Sequence, residues 1–225
     1  MKQAKPPLLN RTLLQKAEYD SRRIDQLVSI VARAEKPGAY IGVVEGRKEK
    51  SRFFVTVDND SPVPAYGIDL SDPPTGATVT VGVGAYFHCY STALTGEYSI
   101  SVYSKEDLLF SNRELRKDDM VVFLMVRPGL YEVRDTTLEG MAKAQVLYPS
   151  KPQEKSPKGF APVADEETEP ITFKSTKGKI SPDQAELRAG QPLIVKCGER
   201  SRIVADLQEE SYRLGDTLKR RLVKR

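Results

Sequence analysis

Beyond Lys36-Pro37-Gly38 the sequence breaks into short apolar runs of strand period, closed off by Pro, Gly, Asp and Ser, with no long helical stretch between them. That succession narrows the fold more than any other feature, because strands following one another without crossover helices exclude a doubly wound α/β sheet. The runs fall at residues 39–45, 52–57, 78–83, 85–90, 98–103, 120–126, 130–134 and 142–148, and are rich in Val, Ile, Tyr and Phe. The polar stretch 46–51 between the first two reads as a hairpin loop, and residues 105–115 as a short helix or a crossover. This spacing predicts a mainly β fold, a Greek-key β-sandwich or barrel over residues 38–148.

The flanks read differently. Over residues 10–35, Leu13, Ala17, Ile24, Leu27, Val28 and Val31 recur at three- and four-residue steps, with Asn10 or Thr12 as cap. They predict an amphipathic helix within an N-terminal helical segment, residues 1–37. Residues 149–170 interleave Pro149, Pro152, Pro157, Pro162 and Pro170 with Lys, Ser and Glu and turn acidic at Asp165, Glu166, Glu167 and Glu169, which predicts an extended Pro-rich linker. Residues 171–208 carry further strands at 171–175, 185–187, 193–197 and 202–207, and residues 209–225 predict a short basic C-terminal helix or tail. Three or four strands are too few to bury a core, so residues 171–208 either complete the sheet of residues 38–148 or add to that of a neighbouring subunit. Repetition is hinted at only between the β units.

Composition excludes most chemistry. The 225 residues are 39% hydrophobic and 29% charged, a globular balance. No apolar run approaches the roughly 18 residues of a membrane helix, and Met1-Lys-Gln-Ala-Lys-Pro-Pro lacks a leader core, so a cytoplasmic protein is expected. There is one histidine, two cysteines and no tryptophan. Cys89 and Cys197 have no Cys-x-x-Cys partner and read as small buried hydrophobes rather than a disulfide. His88 and Cys89 are neighbours on a strand, point to opposite faces and cannot act as a base and nucleophile pair. Gly82-Val83-Gly84 reads as a bulge or close packing rather than a phosphate loop, and no Gly-x-Ser-x-Gly or Walker pattern occurs. Asp118-Asp119 and Glu166-Glu167 fit turn and linker rather than an acid and base pair.

Two stretches resemble the cupredoxin family. Arg127-Pro-Gly-Leu-Tyr-Glu-Val-Arg-Asp followed by Met141-Ala-Lys-Ala-Gln-Val-Leu-Tyr is similar to its closing strand pair, and Ile180-Ser-Pro with Leu187-Arg-Ala-Gly-Gln-Pro-Leu-Ile-Val is similar to its opening strands. The resemblance implies a cupredoxin-like sandwich. It does not imply copper, whose type 1 site takes two imidazoles, a thiolate and usually a Met. Asp135 stands where the cysteine ligand belongs and Arg202 where an imidazole is wanted; only Met141 persists.

The expected function is accordingly non-enzymatic and cofactor-free: a structural or protein-interaction component, self-associating or bound to a protein partner, with strand addition by residues 171–208. The stripe of Leu13, Ile24, Val28 and Val31 offers a contact surface, or else packs over the chain's own sandwich. The net charge of +4 is concentrated in Thr217–Arg225. An alternative is therefore a nucleic-acid accessory protein using Lys219, Arg220, Arg221, Lys224 and Arg225, against which stands a solubilising helix end. A third reading is an enzyme or small-ligand binder whose pocket the sequence does not show, with a small ligand near His88 left open. No membrane partner is expected.

Overall fold

The computed structural model describes residues 13–46, 49–105, 107–148 and 169–210. Those residues are mainly β. After a 3₁₀ turn, Leu13–Gln15, come β1 (Glu18–Asp20), β2 (Val28–Arg33), β3 (Gly38–Glu45), β4 (Lys50–Asp58), β5 (Ala65–Asp69) and β6 (Thr78–Gly82). There follow β7 (Tyr86–Tyr90), β8 (Ser99–Tyr103), β9 (Leu108–Ser111), β10 (Met120–Leu124), β11 (Gly129–Asp135) and β12 (Gly140–Leu147). The last are β13 (Ile171–Thr176), β14 (Lys179–Ser181), β15 (Gln184–Arg188), β16 (Pro192–Lys196) and β17 (Ile203–Glu210).

They form three sheets: β1-β17-β11-β12-β15, β14-β13-β16-β10-β2-β7-β5, and β6-β4-β3-β8-β9. The pairings repeat. Antiparallel β3·β4, β3·β8 and β2·β7 and parallel β4·β6 and β5·β7 recur as β11·β12, β11·β17 and β10·β16, then β12·β15 and β13·β16. Within each half the chain coils between two sheets, so that alternate strands run parallel, as in a short β-solenoid. The halves join where β2 pairs antiparallel with β10 in the middle of the seven-stranded sheet. Each also lends the other a strand: β9 leads into β10 yet pairs with β8, while β1 leads into β2 yet pairs with β17. Local chemistry is repeated too. Tyr40 and Tyr131, each following a Pro-Gly, donate their hydroxyls to the carbonyls of Lys36 and Arg127 at 3.0 and 2.9 Å.

The inward faces of all three sheets meet in one apolar cluster. Phe87 of β7 lies against Phe110 of β9, and Tyr19 of β1 against Phe123 of β10, with ring centroids 5.2 and 5.7 Å apart. The exchanged strands thus carry core side chains.

Two expectations are corrected. Residues 10–35 form no helix among those described: β1 and β2 stand there, joined by a turn holding Ile24 and Leu27. In β2, Val28, Ile30 and Ala32 face the core while Ser29, Val31 and Arg33 face out, so period two wins. Its β-branched residues suit a strand, and ladders on both sides satisfy its backbone, which outweighs the accidental three- and four-residue spacing of the apolar positions. At the other end, Glu209 and Glu210 close β17 rather than open a helix, and residues 211–225 lie outside the described residues. The segment 105–115 is the crossover and contains β9. Residues 171–208 complete sheets of their own chain, through β16 on β10, β15 on β12 and β17 on β11. The flanks of residues 149–168 meet at one turn: Arg188 Nη1 donates to the Tyr148 carbonyl (3.4 Å), and Gln191 Nε2 to that of Glu169 (2.6 Å).

Candidate protein-interaction face

The β3–β4 hairpin alternates, except that Val43, on the outward side opposite Arg52, is also buried. Tyr40, Val44, Phe53, Val55 and Val57 point into the core, so Ile41, Arg52, Phe54, Thr56 and Asp58 point out. Gly42 has no Cβ because the Phe53 ring occupies its place, 2.2 Å from where that atom would sit. Cross-strand register then sets Phe54 opposite Ile41, Ile41 opposite Tyr103, and Tyr103 opposite Leu108. Thr78 of β6 continues the row beyond Phe54. Phe54 is 53% exposed, Ile41 and Tyr103 39% each and Leu108 36%, four of the nine large exposed apolar side chains among the described residues. A second row, Thr80, Thr56 and Ala39, runs beside the first and is made of small side chains.

The matching row of the other half, on the sheet that holds β11, is charged. In place of Thr78, Phe54, Ile41, Tyr103 and Leu108 stand Gln184, Lys143, Glu132, Asp206 and Glu18. Arg134 bonds Asp206 and lies 3.3 Å from Glu132. The same fold therefore accepts an ion-paired surface at these positions, and the apolar row is not a folding requirement.

The residues singled out from the sequence do not gather at this face. Ile24 and Val28 are in the core and Val31 is on the outward side of β2, so these three form no stripe; Leu13 belongs to the 3₁₀ turn. Lys219, Arg220, Arg221, Lys224 and Arg225 lie outside the described residues, as do Glu166 and Glu167. His88 faces out, bonded to Ser29 Oγ (3.2 Å) and tilted against the Tyr90 ring (centroids 5.1 Å apart), while Cys89 faces in. Cys89 and Cys197 are free and buried, and burial raises both thiols. Strands β2 and β10 separate them within one sheet, roughly 14 Å at about 4.8 Å per strand, too far for a disulfide. Asp118 sits in a turn and pairs with Lys196 at 2.9 Å, whereas Asp119 is buried. Gly82 permits close packing, since a Cβ there would lie 2.6 Å from the Ser61 carbonyl oxygen.

Comparison with protein-family models, with curated proteins and with solved structures finds no match for this chain.

The side chains at the positions where the resemblance would place metal ligands do not converge, and Asp135 among them is a buried carboxylate bonded within the fold. Asp135 Oδ2 accepts the Ser175 hydroxyl at 2.6 Å, and Oδ1 accepts the backbone N–H groups of Thr137 and Leu138 at 3.1 Å and of Arg202 at 3.4 Å. The Arg202 guanidinium turns away to Asp20, at 2.6 Å, and Met141 is exposed. Among the described residues no group of three or more His, Cys, Asp or Glu is placed to hold a metal ion, and no helix is long and apolar enough to cross a membrane. An open cleft of about 500 Å³ lies on the charged sheet, lined by Leu130, Lys143, Gln145, Gln184, Ala185 and Glu186, with Lys143 and Glu186 its charged groups.

Sequence reasoning missed Ile41, Phe54, Tyr103 and Leu108 because each looks like an ordinary strand residue. One signal was present. Adjacent residues on a strand face opposite ways, so of the Phe53-Phe54 pair one ring had to point outward.

Proposed function

We propose that this chain is a non-catalytic protein-interaction module, whose partner is a protein with an apolar surface that packs across the β6-β4-β3-β8-β9 face. The reading is carried by one observation: the apolar row Phe54, Ile41, Tyr103 and Leu108, set where the other half of the same fold carries a charged row, two of whose carboxylates pair with Arg134. Contiguous exposed apolar surface raises the free energy of the isolated chain, and covering it is favourable by about 25 cal/mol per Å². We also read residues 38–148 as cupredoxin-like without copper, supported by the Pro-Gly-x-Tyr turns at Tyr40 and Tyr131.

A photo-crosslinking residue placed at position 54 tests the reading in cells of the source organism, with position 143, its counterpart on the charged sheet, as control. A discrete covalent protein adduct is expected from position 54 and none from 143. Equal labelling at both positions, or none at 54, would refute it.

A further inference from the structure

We infer that the protein covering this face is a second copy of the same chain, packed face to face about a twofold axis; this rests on the reading of the face as an interaction surface. The outward residues of β4 run Lys50, Arg52, Phe54, Thr56, Asp58, basic at one end and acidic at the other. Lys50 is held by Glu45 at 2.7 Å, whereas Arg52 and Asp58 make no ion pair among the described residues. A twofold axis lying across the strands at the level of Val55 turns β4 antiparallel over its own copy. Arg52 then meets Asp58 of the second copy, and Asp58 meets its Arg52. The same operation lays the large row, with Phe54 and Ile41, onto the small row, Thr56 and Ala39, so that large side chains meet small ones as in aligned sheet packing. Both charged contacts and both large-on-small contacts come from one axis.

Size supports a second copy. Five strands at about 4.8 Å and outward segments of roughly 20 Å give about 500 Å² per copy, near the lower bound for a specific interface once both copies are counted. No charged residue stands in either central row, so the isologous contact buries no unpaired charge at its centre.

Analytical ultracentrifugation of the full chain from micromolar to about 0.5 mM tests this. The wild type is expected to dimerise with concentration. Arg52→Asp sets Asp against Asp58 of the second copy, and Asp58→Arg sets Arg against its Arg52, so each variant alone is expected to weaken the dimer at least about tenfold. An equimolar mixture of the two restores both pairs and is expected to recover dimers of mixed composition. A wild type that stays monomeric throughout, single variants that dimerise as before, or a mixture that recovers nothing would each overturn the inference. The crosslink at position 54 separates this from failure of the underlying reading: an adduct of mass other than twice the chain's 25.1 kDa overturns the second copy and leaves the interaction face standing, while no adduct overturns both.

Discussion

Asp119 shows how little a residue's type says until its surroundings are known. Beside the exposed Asp118 it read as half of a solvated turn, yet it is 4% exposed, and its carboxylate accepts the Arg116 N–H at 2.8 Å. Burial pushes its pKa up to about 6. A carboxyl of an unfolded chain titrates near 4, so between about pH 4 and pH 6 the native state holds a proton that the unfolded state has lost. Stability from this group is therefore fully present below that window, falls as pH rises through it by on the order of 2–3 kcal/mol, and is level above it. Asp119→Asn keeps an oxygen for Arg116 and removes the ionisation. Urea unfolding should show the variant gaining on the wild type from pH 4 to pH 6 and then holding its advantage; parallel curves would discard this account. At the same scale, Phe53 and Phe54 have one identity and opposite fates, one under Gly42 in the core and one on the outer face.

Among the elements, those that failed to show in the sequence are the ones whose partners are distant. β1 has three residues and β9 four, too short for a period to register, and their ladders lie on β17 and β8 of opposite halves. β2 was disguised by an apolar spacing shared between strand and turn. The long hairpins β3–β4 and β11–β12 were legible because alternation over seven to nine residues leaves one solution. Asp135 ties such elements together, joining the end of β11 to Ser175 of β13 and to the N–H before β17. Asp135→Ala strands these buried donors and is expected to cost about 3 kcal/mol, whereas Ser175→Ala, which leaves Asp135 its backbone donors, should cost about 1 kcal/mol. Equal losses in denaturant titrations would show that Asp135 serves Ser175 alone.

For the whole molecule, the exchanged strands and the shared β2·β10 ladder make the halves interdependent, and their side chains lie in one core cluster. Unfolding is expected as a single calorimetric transition whose van't Hoff and calorimetric enthalpies agree. Two separated transitions would mean that the halves hold themselves together singly. Which residues alternate in and out along the long hairpins and where the Pro-Gly turns fall were present in the linear order, because each depends on neighbours within a few positions. Which half lends a strand to which, and that one outer face is apolar while its counterpart is ion-paired, depend on registers between residues far apart in the chain, from Ile41 against Phe54 and Tyr103 to Glu18 against Asp206. Those registers are chosen by the packing of the common core, and only the folded chain contains it.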